Sequence, residues 1–373
     1  MASPSVTVRA ALSRLRSQFD WALFATIAVL VIMGLVNLWS ATRVAPKGLY
    51  TQQLAWLAGG VFLFVLVALS DSRLFDRLAY GIFAVTIIVL VAVLVGGKVV
   101  NGSRRWIGVG PLGGQPSELA KVALILAYAK LFATDPMDLR LRPWRYVAIA
   151  LGLFALPGIL IAKQPDLGTA LILFLIAMSI VLIVPLQLHV KLVTVGVEVC
   201  LGVLIFFFKL HGYQKRRLLT FLDPSLDPSG AGWHARQAIF AVGSGRWIGK
   251  GWTHGTQNQL QFLPEHWTDF PFAVWAEEWG FVGCLLLVGC YAMLILWALN
   301  LASEARDRFA QGMCLGAAAL LFWHVVFNIG MVIGVLPVVG VTLPLVSYGG
   351  SSLLTVMIAL GLLMNVSIRR YSY

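Results

Sequence analysis

The chain is patterned as long apolar runs broken by short polar, mostly basic connections. Ten runs are read, near 21–41, 52–70, 77–96, 117–133, 144–162, 168–184, 188–209, 270–297, 308–335 and 345–367. Each is long enough to cross a hydrocarbon core about 30 Å thick. A backbone in lipid has to satisfy its own hydrogen bonds, so these spans are predicted as helices. The expected fold is an all-α integral membrane protein of about ten transmembrane helices, with residues 1–373 as a single polytopic domain.

Two connections stand out. The stretch from Lys209 to Thr268 holds Asp223–Pro224 and Asp227–Pro228, many glycines and several aromatics. Ordered loops of that length are usually functional or carry short helices of their own. Its part from Trp233 to Trp247 has the pattern of an amphipathic helix lying on the outer leaflet. The other connection is Lys98 to Pro116. No internal repeat is visible, so an inverted-repeat transporter is not supported.

Composition agrees with the pattern. Of 373 residues, 59% are hydrophobic and only 12% charged, with a mean hydropathy of +0.86; a soluble domain carries roughly a quarter charged residues. The deficit runs along the whole chain, which leaves no room for a separate soluble domain. The formal net charge of +12 sits mostly between apolar runs, where it sets orientation and meets anionic lipid. That placement argues against a nucleic-acid role. Arg9, Arg73, Arg140, Arg306 and Arg369 mark one set of short flanks, the richer in Lys and Arg; the poorer set holds Arg43, Lys98 and Lys163. The first set is cytoplasmic by the positive-inside rule, which puts both termini inside and the long loop between the seventh and eighth spans outside. The basic N-terminus leads into a run too long for a signal peptide, so it reads as a retained first helix. The four cysteines lie in apolar stretches without metal spacing, and the six histidines show none either. Ser347-Tyr348-Gly349-Gly350-Ser351-Ser352 lacks the phosphate-loop pattern and reads as a tight turn.

Ionisable residues beside apolar spans are costly and carry a functional hypothesis by default. Glu118 and Lys121 share a helix face; they form either an internal salt bridge or an anion-holding pair tuned by the acid. Asp166 opens a span, as an N-cap accepting from the Gly168 or Thr169 amide or as the partner of a cation in the same pocket. Asp269 precedes the eighth span, followed by Glu277 and Glu278; it is a cap or a general base at the membrane boundary. Arg104, Arg105, Arg216 and Arg217 contact lipid headgroups or clamp a pyrophosphate.

Several motifs then coincide: Asn101-Gly102-Ser103-Arg104-Arg105-Trp106, Gln115 to Lys121, Lys163 to Thr169, Arg217 to Pro224, Phe262 to Val274, and Phe327 to Ser352. In combination they identify the chain as resembling the SEDS family (shape, elongation, division and sporulation). Gly255-Thr256-Gln257 and Met331 to Pro337 look more like the family's rod-shape branch than its division branch. One departure is His266-Trp267-Thr268-Asp269-Phe270-Pro271-Phe272, where an extra aromatic stands near the acid and Pro271 replaces an apolar residue. Proline in a first helical turn is tolerated, so the helix is expected to survive, with the placement of His266 open.

The resemblance implies a ten-span fold and peptidoglycan glycosyltransferase activity on lipid II in the bacterial inner membrane. It also implies a class B penicillin-binding transpeptidase and other elongation-complex proteins as partners. Asp269 is carried over as the essential acid. Glu118, Lys121 and Asp166 match polar positions of the family's outer cavity, and Ser347 is counted with Arg104, Arg105, Arg216 and Arg217 as a substrate-binding candidate. No cofactor is required, although a divalent cation is compatible with a pyrophosphate leaving group. Two rival readings are a lipid II flippase and a non-catalytic scaffold. The flippase needs a polar path through the membrane, whereas the acids and cations here gather on one side.

Overall fold

The computed structural model describes residues 19–44, 48–100, 103–107, 113–134, 136–184, 186–209, 220–221, 231–260, 262 and 266–370. Helices occupy every expected run: α1 (Trp21–Ala41), α2 (Leu49–Leu69), α3 (Ser72–Gly96), α4 (Pro116–Phe132), α6 (Pro143–Lys163), α7 (Leu167–Ile183), α8 (Leu188–Lys209), α11 (Pro271–Glu304), α12 (Arg308–Val332) and α13 (Gly350–Arg369). Shorter helices α5 (Pro136–Leu141), α9 (Ala231–Gly245) and α10 (Thr256–Gln259) lie between them. Among the described residues, seven helices are long and apolar enough to cross a membrane, and α7 is a shorter apolar one. α4 and α8 stand where the fourth and seventh spans are expected. The protein is an all-α membrane fold with one small addition. Strands β1 (Lys98–Val100) and β2 (Ser103–Trp106) pair antiparallel, and Ile107 bridges to Gly114. Among its described residues, Ile107 and Gly114 exchange both backbone hydrogen bonds, at 3.0 and 2.8 Å, so that these groups are paired outside any helix.

The predicted loop helix is present as α9, and it packs on α11 with Gln237, Ala238 and Ala241 buried. The last helix begins later than the apolar run suggests, at Gly350, because residues 344–346 form a turn ahead of it.

α4 is the axis of the bundle. Nearly all its residues are buried, whichever way they point, as expected of a helix apolar all round. α3, α6, α7, α12 and α13 pack around it. The α12 contact is close because Gly312 and Gly316 stand one turn apart on the facing side. A Cβ on Gly312 would lie 2.7 Å from Ala129 Cα, and one on Gly316 2.4 Å from Ile125 Cγ2. Gly312→Leu is therefore expected to lower stability by about 1–3 kcal/mol. Gly289→Leu, on a face where a Cβ meets nothing within 4 Å, is expected to leave thermal unfolding unchanged. Equal melting of the two variants would refute the close crossing.

α11 is interrupted. Its backbone leaves the helix at Gly280 (φ 63, ψ −162), a region essentially closed to side-chain-bearing residues. The chain after α9 fills the gap. The Lys250 and Gly251 amides donate to the Glu277 and Glu278 carbonyls, both at 3.0 Å. The Phe281 and Val282 amides donate to the Arg246 and Trp247 carbonyls at 2.8 and 3.1 Å. A broken helix is tolerated where its freed groups are paired in this way. The two acids belong to the same clamp. Glu277 is fully buried and accepts from Lys250 Nζ at 2.6 Å, Thr256 Oγ1 at 3.0 Å and the Gln257 amide at 3.2 Å. Glu278 accepts from the Ser40 hydroxyl of α1. Gly280→Ala would place a Cβ 2.3 Å from the Gly249 nitrogen. The expected result is a loss of about 1–3 kcal/mol from the strained backbone, with faster proteolysis within 246–251; unchanged cleavage would count against the clamp.

Candidate active site

At the end of the bundle carrying the hairpin and α9, helices α4, α7, α12 and α13 enclose a cavity of about 580 Å³. α2, β2, Thr268, Asp269 and the 340–342 segment complete its wall. Glu118, Lys121, Asp166, Arg105 and Asp269 all line it. Residues as distant in sequence as Arg105 and Asp269 are thus gathered at one place.

Glu118 and Lys121 are placed by the start of α4, where Gln115 is the N-cap and Pro116 opens the helix. Three residues apart, they face the same way. Lys121 Nζ lies 2.8 Å from Glu118 Oε1 and 2.7 Å from Oε2. The lysine is 1% exposed and the acid 9%. A charge this deep is held only with its counter-charge beside it. A third group joins them: His324 of α12 sets Nε2 3.0 Å from Lys121 Nζ, while its Nδ1 lies 2.9 Å from the Thr342 carbonyl oxygen.

Asp166 fills both roles left open for it. Oδ1 accepts from the Thr169 amide at 3.3 Å and so caps α7. Oδ2 accepts from Gln115 Nε2 at 2.6 Å and Ser117 Oγ at 3.2 Å. Arg105, from β2, stands 3.7 Å from Oδ1 and donates to the Gln164 and Pro165 carbonyls. The guanidinium thereby ties the hairpin to the α6–α7 corner.

Asp269 is half-buried, in the turn before α11. Phe270, not Asp269, occupies the N-cap position. The Asp269 backbone carbonyl is held by Asn328 Nδ2 at 3.0 Å, and the same amide donates to the Val341 carbonyl at 2.7 Å. Gly340 (φ +74) passes close by, where a Cβ would stand 3.5 Å from Asp269 Oδ2. Pro271 opens the helix as its first residue, and the helix survives it. His266 is buried away from the cavity, with Nε2 2.9 Å from the Ala41 carbonyl oxygen and its ring edge-on to Trp267.

The remaining candidates are placed differently. Ser347 is buried outside the cavity lining, and its hydroxyl accepts from the Leu343 amide at 2.7 Å within the turn before α13. Its neighbours Ser351 and Ser352 do line the cavity; Ser351 Oγ accepts from the Gln115 amide at 2.9 Å. The Arg104 side chain, Arg216 and Arg217 lie outside the described residues. His324, Asn328 and Thr342 were not singled out by pattern or charge. The available signal was His324-x-x-x-Asn328 itself, two polar side chains on one face of an otherwise apolar helix. Glu198, buried in the middle of α8 with Tyr128 Oη 3.2 Å away, also escaped notice and lies outside the cavity.

Chemically, the described lining offers three carboxylates and two cations, each cation already beside an acid. Among the described residues no group of three or more His, Cys, Asp or Glu side chains is placed to hold a metal ion. The arrangement suits a reaction that needs one accessible base and paired cations for a negatively charged group.

Residues 20–372 match the family model FTSW_RODA_SPOVE, cell cycle protein. The chain is 41% identical over 344 residues to the peptidoglycan glycosyltransferase MrdB of Escherichia coli, covering 92% of each protein. It is 32% identical to the peptidoglycan glycosyltransferase RodA of Treponema pallidum, covering 95% of this chain and 98% of that one. Among solved structures, a chain of a peptidoglycan synthase complex that coordinates polymerization and crosslinking superposes with a TM-score of 0.80 at 35% identity, covering 95% of this chain and 99% of the other. The rod shape determining protein RodA of Thermus thermophilus superposes with a TM-score of 0.70 at 32% identity, covering 95% and 98%. With a match that runs from the first helix to the last, the chain belongs to the FtsW/RodA/SpoVE family, the SEDS proteins.

Proposed function

We propose that this chain polymerises lipid II into glycan strands, with Asp269 as general base. It is a multi-pass protein of the bacterial inner membrane and a peptidoglycan glycosyltransferase of the RodA type. The observation that carries the mechanism is the gathering of Asp269, Lys121 and Arg105 in one cavity at one end of the bundle.

The donor is a glycan linked through pyrophosphate to a polyprenyl lipid, and the acceptor 4-hydroxyl attacks its anomeric carbon with inversion. Glycosidases generally use two carboxyl groups because an alkoxide leaves badly. Pyrophosphate leaves without protonation, so one base suffices; Asp269 takes the hydroxyl proton as the new bond forms. Lys121 and Arg105 stabilise the charge that develops on the leaving oxygen. Both already serve Glu118 and Asp166, so their charge is shared with the phosphates rather than released to them. Lipid tails remain between helices while the sugars reach the cavity, which accounts for a site at the membrane boundary. The partner we assign is a class B penicillin-binding transpeptidase, as the relative from the synthase complex works where polymerization and crosslinking are coordinated.

The test is polymerisation from purified lipid II, with and without that transpeptidase, after blocking the glycosyltransferase site of any contaminating synthase. Polymer made by the complex supports the reading. No polymer even with the partner, combined with lipid II movement across vesicles, would favour a flippase; neither activity would favour a scaffold.

A further inference from the structure

Lys121 is a buried cation with three donors and nowhere to turn. On one side Nζ meets the Glu118 carboxylate, 2.8 Å from Oε1 and 2.7 Å from Oε2, and on another it faces His324 Nε2 at 3.0 Å. The direction of that second contact follows from His324's other nitrogen. Nδ1 lies 2.9 Å from the Thr342 carbonyl oxygen, which only accepts, so Nδ1 carries the hydrogen. The neutral ring then presents a lone pair at Nε2, and the ammonium donates to it. The Glu118 carboxylate and His324 Nε2 thus hold the ammonium from two sides where Lys121 lines the cavity.

The same face of α12 governs the acid. Asn328, one helical turn from His324, holds the Asp269 carbonyl at 3.0 Å and the Val341 carbonyl at 2.7 Å. Val341 precedes Thr342, the residue that orients His324. One turn of α12 therefore sets both charged groups, the carboxylate through its backbone and the cation through its donors.

We infer that His324 is a positioning residue for the transfer: it fixes the direction in which the Lys121 ammonium faces the leaving pyrophosphate, in register with Asp269. The inference rests on the polymerase reading above. Loss of His324 leaves Lys121 charged beside Glu118 but free to swing, so substrate still binds while the developing charge is met less well.

The test compares wild type, His324→Gln, His324→Leu and Asp269→Asn, each with the partner transpeptidase. It measures kcat and KM for lipid II separately, with thermal unfolding alongside. Misdirecting one charge-assisted hydrogen bond is expected to lower kcat of His324→Leu about ten- to hundredfold, with KM within about threefold. His324→Gln, whose amide offers both an acceptor for Lys121 and a donor for Thr342, is expected to recover most of that loss. A merely structural histidine would alter melting and active fraction without that rescue. If His324→Leu does not fold, His324→Asn replaces it, its shorter amide being unable to reach both partners. Wild-type kcat in the folded apolar variant, with Asp269→Asn inactive, overturns the positioning role alone. Equal impairment of folded His324→Gln and His324→Leu also overturns it. An active Asp269→Asn overturns the polymerase centre and this inference with it.

Discussion

Asp269→Asn is expected to reduce glycan polymerisation by about 10²–10⁴, the usual contribution of a general base, without disturbing the fold. The structure separates the two roles an acid at a helix start can have. Phe270, not Asp269, holds the N-cap position of α11. The bundle holds the Asp269 backbone carbonyl through Asn328, and asparagine keeps that backbone and nearly the same shape while removing the carboxylate that takes the proton. The check is polymer yield from purified lipid II beside the thermal unfolding of each protein with its transpeptidase partner. A folded Asn variant that polymerises at the wild-type rate would dismiss Asp269 as the base.

The second large effect is on stability. Glu118→Leu is expected to destabilise the protein by about 3–5 kcal/mol, the cost of leaving a buried charge without its partner. Lys121 is 1% exposed, so its ammonium is largely desolvated, and His324 offers only a neutral acceptor. Removing both charges should behave differently. The double variant Glu118→Leu, Lys121→Met is expected to regain most of the lost stability, since apolar groups of similar volume often replace a buried ion pair without penalty. It is nevertheless expected to polymerise poorly, because the leaving pyrophosphate has lost a cation. Denaturant or thermal unfolding in detergent measures the first part and the lipid II assay the second. A single Glu118→Leu variant as stable as wild type would show that the pair is not desolvated; a fully active double variant would show that Lys121 does not serve the leaving group.

The spans could be read from the chain because their cause is local. Each run's length and apolarity decide its helix, and Trp21–Ala41 and Leu188–Lys209 are found where the runs place them. Short-range pairs were equally open to inspection: Glu118 with Lys121 at three residues, and Asp166 capping Thr169. Family motifs extended this to Asp269. Ser347 shows the limit of such reasoning, since its place in the motif says nothing of which way its hydroxyl turns, and it turns into its own turn. Glu277 and Glu278 show another. Two adjacent acids in an apolar helix suggested chemistry, whereas beside the break at Gly280 Glu277 is paired by Lys250 and Thr256 and Glu278 by Ser40.

Long-range partnerships were the part hidden from any reading of the chain. Lys121 meets His324 across 203 positions, and Gln115 meets Asp166 across 51. Hydropathy and helical period specify which residues are apolar and which share a face, and those properties belong to one segment at a time. A donor's partner depends instead on which segments become neighbours and at what height. Close contacts such as Gly312 against Ala129 settle that, because packed helices accept only a few registers. The chain's own pattern therefore suffices for a membrane bundle with an acid and a cation near one end; the shared cavity, and the histidine that aims its lysine, exist only once α4 and α12 have packed.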